Sequence, residues 1–162
     1  MEPIAWLSQC KFGANDFHEI YPKVYLGSKH VSKSENKLEE LGITHILSIG
    51  HEFCEMFRGK FDYKIIKVGD GAYDDIKQYF NEGTQYIETS IQNGGTILVH
   101  CAAGRSRSGA MMTAYSMLRD KIKLEDALNL VKSKRPKVDP NWGFLKQLKE
   151  FEEELDTPTY DV

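Results

Sequence analysis

The chain has 162 residues, 28% of them charged and 41% hydrophobic, and a formal net charge of −3. That length suits one domain with a full core, and a mildly acidic chain with no long basic run does not suggest a nucleic-acid surface. No apolar run approaches membrane-spanning length, Met1-Glu2-Pro3 opens neither a signal peptide nor a myristoylation site, and Cys10, Cys54 and Cys101 are too scattered for a zinc site or a disulfide framework.

In chain order, residues 1–20 read as irregular, with Trp6, Phe12 and Phe17 pinning the segment to the domain. Lys23 to Gly27 alternates as a first strand. Ser32 to Leu41 reads as a helix, opened by a Ser32–Glu35 capping box and closed by Gly42. Ile43 to Ile49 is then a buried strand, and its His45 reads as structural because no second metal ligand sits nearby. Gly50 to Asp62 is a loop carrying Cys54, expected to be buried and inert, with a reversible disulfide to Cys101 as the alternative. Tyr63 to Val68 is a third strand. Apolar spacing from Ile76 to Ile91 predicts a helix with one face on the sheet, capped by Asp75 and ended near Asn93-Gly94.

Thr96 to His100 reads as the central strand, and residues 108–119 as the helix after it. Leu124, Ala127, Leu128 and Val131 mark a further helix that stops before Arg135-Pro136. The last helix is expected to be capped by Asp139, with Pro140 in its first position and Phe144, Leu148, Phe151 and Leu155 on one face. Trp142 and Phe144 read as core, Glu152 to Val162 as a fraying acidic tail, and Tyr160 as solvated. The order of elements implies an α/β fold, a mostly parallel sheet of four to five strands flanked by helices.

The chemistry concentrates in Thr96 to Gly109. A buried strand runs into a tight loop holding Cys101 and, six positions on, Arg107, and the loop enters a helix. Amide N–H groups of such a loop point inward and the helix start is partly positive, so a tetrahedral oxyanion fits there. A thiol beside cations at a helix N-terminus loses its proton readily, so Cys101 reads as a thiolate nucleophile. Arg107 has the planar fork that holds two phosphate oxygens at once. Gly104 permits positive φ and close approach of its N–H. Ser108 donates its hydroxyl to the Cys101 sulfur, and His100 holds the loop rather than acting as a base. Ala102, Ala103, Gly104, Arg105, Ser106 and Arg107 are the expected phosphate-binding residues.

His-Cys-Ala-Ala-Gly-Arg-Ser-Arg-Ser (100–108) matches the His-Cys-x5-Arg-Ser/Thr loop of the cysteine-dependent phosphatases and looks most like the dual-specificity protein phosphatases. Ile20, Pro22, Tyr25-Leu26-Gly27, the run Gly42 to Leu47 and the segment Arg135 to Leu148 resemble the same group. The resemblance suggests a catalytic domain over 20–155, an N-terminal extension at 1–19 packed on it and an acidic tail at 156–162. It implies a protein-tyrosine-phosphatase-like fold of the small atypical type that consists of the catalytic domain only. The activity it implies is hydrolysis of phosphotyrosine and phosphoserine/phosphothreonine in proteins through a cysteinyl-phosphate. No metal or other cofactor is expected. The expected partner is a phosphorylated protein, with no nucleic acid and no membrane span, and the expected location is cytoplasmic or nuclear, where thiols stay reduced. Oligomeric state is not legible.

In that family a carboxylic acid on a mobile loop facing the cradle protonates the leaving oxygen. Asp70 matches this place, between Gly69 and Gly71 and upstream of Tyr79-Phe80, with Asp74 as rival. Asn141 supports the loop or starts the last helix. Arg105 departs from the apolar residue common in protein-directed relatives. Ala-Gly-Arg-Ser-Arg-Ser (103–108) also resembles the loop of the phosphatidylglycerophosphate phosphatases, and phosphoinositide phosphatases carry a Lys at the Arg105 position, whereas Ala102 and the Arg135 to Leu148 segment favour the protein group. A phosphate-binding module without turnover is the third reading.

Overall fold

The computed structural model describes residues 13–157. Five strands form one sheet: β1 (Phe17–Tyr21), β2 (Val24–Gly27), β3 (His45–Ile49), β4 (Asp62–Ile66) and β5 (Ile97–His100). Their spatial order is β1-β2-β5-β3-β4, parallel throughout except for β1 against β2. The helices are α1 (Lys29–Ser32), α2 (Glu35–Glu40), α3 (Phe80–Gln92), α4 (Arg107–Asp120), α5 (Leu124–Lys134) and α6 (Trp142–Asp156), with one 3₁₀ turn at Lys77–Tyr79.

The last strand in sequence is the middle one in space. Every residue of β5 is buried, because a central parallel strand is covered on both faces. Alternation divides it: Ile97 and Val99 enter the larger core with α3 to α6, while Leu98 packs with Val31, Leu38, Ile43 and Ile46 on the other face. α4 is buried from Arg107 through Met117, enclosed by α3, α5 and α6. The loop between β5 and α4 is therefore fixed at both ends, and it lies at the carboxyl edge of the sheet, where open α/β sheets bind ligands.

Several sequence expectations need correction. Phe17–Tyr21 is not irregular. Its aromatic and β-branched residues pair with β2 as an edge strand through a turn at Pro22-Lys23, in which Lys23 takes φ 67°. The expected helix over 32–41 is two short helices, with Ser28 and Ser34 as caps, and the Ser32 hydroxyl bonds the Lys29 carbonyl. Asn141, not Asp139, caps α6, its Oδ1 accepting from the Phe144 N–H at 2.9 Å. Trp142 is 61% exposed, whereas Phe144 is buried as expected. The chain does not fray at Glu152, which is buried and accepts from the Leu124 N–H at 2.5 Å. Cys54 is exposed rather than buried. His45 bonds Thr44 Oγ1 at 2.7 Å and meets Tyr86 edge-on. Cys10, Trp6, Phe12 and Tyr160 lie outside the described residues.

Candidate active site

A trans peptide points its C=O and the following N–H in opposite directions. Where the carbonyls of a loop are tied outward, its amides must therefore face inward. Between Cys101 and Arg105 every carbonyl is tied. That of Cys101 meets His100 Nδ1 at 3.1 Å, and that of Ala102 the Lys29 N–H at 3.0 Å. Those of Ala103 and Gly104 accept from Arg135 Nη2 at 3.0 Å and Nε at 2.8 Å, and that of Arg105 from the Asp139 N–H at 2.9 Å. Consecutive amides from Ala102 to Ser106 are so turned to the inside, a nest for an anion continuous with the start of α4. Gly104 takes φ +63°, and a Cβ there would meet the Gly27 carbonyl at 2.5 Å.

The ties come from distant places. Arg135, at the end of α5, is 0% exposed, and its remaining nitrogen reaches Asp16 at 3.0 Å and His18 Nδ1 at 3.0 Å. Asp16 also holds Lys137 at 2.9 Å. In the sequence Arg135 marks only a helix end and part of a family segment, and Asp16 carries no role, since neither has a local signal of burial. His100 is buried between Cys101 and Ser48, whose Oγ lies 2.7 Å from Nε2. Because Nδ1 faces a carbonyl it carries the proton, and Nε2 accepts from the Ser48 hydroxyl. Burial pushes its pKa down to about 4, so it is neutral at physiological pH.

Cys101 is 2% exposed, with its Sγ 3.0 Å from Ser108 Oγ. Arg107 is buried as well, and Glu52 takes its two terminal nitrogens, Nη1 to Oε2 at 3.1 Å and Nη2 to Oε1 at 2.8 Å. The guanidinium holds the Glu52 carboxyl below the usual carboxylate range. Nε of Arg107 is buried with no partner. Glu52 orients the arginine by its outer edge and leaves Nε uncommitted. The sequence reading missed Glu52, which lies 55 positions from Arg107 in a loop with no regular pattern.

Asp70 shares a cleft with Cys101, Ala103, Arg105, Ser106, Asp139 and Asn141. Its loop is pinned to α6. Asn141 Nδ2 donates to the Asp70 carbonyl at 3.1 Å, Gln147 Nε2 to that of Asp74 at 2.8 Å, and the Lys77 N–H to Gln147 Oε1 at 2.9 Å. The Asn141 N–H also donates to Ser106 Oγ at 3.0 Å, so Asn141 joins the Asp70 loop, the cradle and the helix start. Asp74 folds back on its own loop, Oδ2 accepting from the Gly71 N–H at 2.7 Å. A Cβ on Gly69 would stand 2.6 Å from that oxygen. The glycines flanking Asp70, read in the sequence as a source of mobility, make room for the Asp74 carboxylate. Arg105 is exposed at the rim and paired with Asp139 at 2.9 Å. Cys54 lines a different recess, with Glu52 and His100. Among the described residues no cluster of three His, Cys, Asp or Glu side chains gathers for a metal.

Residues 24–154 match the family described as dual specificity phosphatase, catalytic domain. The chain belongs to that family. Dual specificity protein phosphatase 1-A of Xenopus laevis is 38% identical over 141 residues, which are 87% of this chain and 38% of that protein. The chain thus spans well under half the length of the curated relatives it matches. The crystal structure of human tyrosine phosphatase-like serine/threonine/tyrosine-interacting protein superposes with a TM-score of 0.81 at 33% identity, covering 88% of this chain and 99% of the other. That of human DUSP28 gives 0.82 at 30% identity, covering 87% and 95%. The dual specificity phosphatase fold expected from the loop is present, with the sheet at the upper end of the expected strand number. Among the described residues no helix is long and apolar enough to cross a membrane.

Proposed function

We propose that this chain hydrolyses phosphate monoesters of tyrosine, and of serine and threonine, in phosphorylated proteins through a cysteinyl-phosphate. One observation carries the reading: Cys101 sits in a nest of inward amides, hydrogen-bonded to Ser108, with Arg107 Nε unpartnered and Asp70 on the same cleft. In the first step the Cys101 sulfur attacks phosphorus in line. The S–P bond forms, the ester P–O bond breaks, and the Asp70 carboxyl gives its proton to the departing oxygen. The amides from Ala102 to Ser106 and Arg107 hold the three equatorial oxygens. In the second step the Asp70 carboxylate takes a proton from water, the water oxygen attacks phosphorus, and the S–P bond breaks. Ser108 donates its hydroxyl to the departing thiolate, and inorganic phosphate leaves.

Asp70 is favoured over Asp74 because the Asp74 carboxylate is spent on the Gly71 amide. Among the described residues no aromatic ring lines the cleft, which supports access for short phosphoserine and phosphothreonine side chains as well as phosphotyrosine. A thiolate nucleophile suits a reducing compartment, the cytoplasm or nucleus. The test is phosphate release from phosphotyrosine, phosphothreonine and phosphoserine peptides beside phosphoinositides and phosphatidylglycerophosphate. Peptide turnover is expected. Cys101→Ser abolishes it, Asp70→Asn slows it by about a hundred- to ten-thousandfold, and Asp74→Asn retains most of it. Turnover confined to lipids overturns the protein reading, and phosphate binding without any turnover leaves a binding module.

A further inference from the structure

Few large apolar side chains stand in solvent among the described residues: Met56, Tyr73, Trp142 and Leu155. Two of them touch. Tyr73, 92% exposed, meets Trp142, 61% exposed, with ring centroids 5.5 Å apart at an interplanar angle of 89°. The pair is continuous with the cleft, because Asn141, next to Trp142, and Asp70, three residues before Tyr73, both line it. It is also held in place. A Cβ on Gly143 would run into the Ala72 carbonyl, so the loop backbone lies directly on the first turn of α6. Asn141 and Gln147 fasten the loop on either side of Tyr73. Two aromatic rings fixed in water on a rigid frame form a preorganised contact surface.

We infer that Tyr73 and Trp142 form a shelf for an aromatic side chain of the substrate polypeptide, a few residues from the phosphorylated one. The inference rests on the protein-phosphatase reading for the identity of the occupant. Charge around the shelf argues for a polypeptide over a membrane. Asp74 and Asp75 follow Tyr73 in the loop and Asp70 and Asp139 line the adjoining cleft, against two cations, Arg105, which is paired with Asp139, and Lys146, one turn along α6 from Trp142. An anionic bilayer would be repelled. The carboxylates of Asp74 and Asp75 are bonded to the Gly71 and Gln78 amides, which leaves the aromatic faces as the surface on offer. An added ring meeting them edge-on or offset gains aromatic contact beyond its area burial.

The sequence holds two tryptophans, Trp6 and Trp142, so Trp6→Phe makes Trp142 the sole indole reporter. In a Trp6→Phe, Cys101→Ser protein, which binds without turnover, Trp142 emission is titrated with phosphopeptides that differ only in carrying Phe, Ala or Lys at each flanking position in turn. At one position Phe is expected to bind about tenfold tighter than Ala, equivalent to about 1.4 kcal/mol, with a shift of Trp142 emission. Tyr73→Ala is expected to reduce that ratio severalfold. Equal affinity for Phe and Ala at every position overturns the inference. So does a preference for Lys, which would make the shelf a cation site, or an emission shift with mixed neutral and anionic lipid vesicles but not with peptides. Turnover by the wild-type protein is read separately, so failure of the phosphatase reading leaves the binding result decisive.

Discussion

Arg135→Met removes the side chain that turns two loop carbonyls outward. The wild-type guanidinium serves the Ala103 and Gly104 carbonyls at 3.0 and 2.8 Å and Asp16 at 3.0 Å, with no exposed surface of its own. Met fills most of the aliphatic volume, so little cavity cost enters. Each orphaned carbonyl costs about 1 kcal/mol at the low end for buried polar groups. Asp16 keeps Lys137, so loss of its pair with Arg135 adds about 1 kcal/mol rather than the ~3–5 kcal/mol of a fully stranded buried charge. The sum is ~3 kcal/mol, which a domain of ordinary stability survives. Urea unfolding measures it as a lower midpoint at unchanged slope. Binding of orthovanadate, a mimic of the phosphoryl group, is expected to weaken by about tenfold or more, about 1.4 kcal/mol per tenfold, as the Gly104 and Arg105 amides lose their direction. Arg135→Lys keeps a charge for Asp16 but has no planar fork for two carbonyls, so vanadate binding falls as it does in Met while less stability is lost. A Met variant within about 0.5 kcal/mol of wild type, or one that is destabilised yet binds vanadate as tightly, refutes the account of the cradle.

Two further outcomes follow from the same site. His100 is folded with a pKa of about 4 against 6.5 in the open chain, so the unfolded state binds the proton first as pH falls. Its contribution to stability is complete above pH 6.5 and drains away between 6.5 and 4, ~3 kcal/mol at about 1.4 kcal/mol per pH unit. Urea midpoints across that window should fall steeply in wild type and less in His100→Gln; parallel curves would contradict the assignment. Asn141→Ala removes the α6 cap, ~1 kcal/mol by thermal or urea unfolding. It also frees the Asp70 carbonyl, so kcat is expected to drop severalfold while Asn141→Asp, which keeps the cap acceptor, recovers the stability but not the rate.

What was legible in the sequence was whatever short-range pattern encodes. Strand, loop and helix around Cys101 are contiguous, and Ile97, Leu98 and Val99 announce a strand covered on both faces. Asp75 does not cap α3, which starts at Phe80 without a side-chain cap; its Oδ1 instead accepts from the Gln78 amide three residues on, in the turn that leads into the helix. The groups that shape the cradle were not legible, since Arg135, Asp16 and Glu52 act across 31 or more positions and a charged residue carries no local mark of burial. Trp142 was misread for a different reason. Phe144, Leu148 and Phe151 define the buried face of α6, and Trp142 is out of phase with them, which the helical period itself would have shown.

The ties on the loop carbonyls have a consequence for how the molecule opens. They reach α1 at Lys29, the segment before β1 at Asp16, the end of α5 at Arg135 and the approach to α6 at Asp139. A loop of this kind cannot loosen by itself; freeing its carbonyls means parting segments from both halves of the chain. The amide hydrogens that donate to these carbonyls, those of Lys29 and Asp139, are therefore expected to exchange with solvent only on near-global unfolding, whereas the amides from Ala102 to Ser106, turned to the open cleft, exchange faster until an anion fills the nest. The loop thus keeps its shape as firmly as the core around it while its own amides stay open to the cleft.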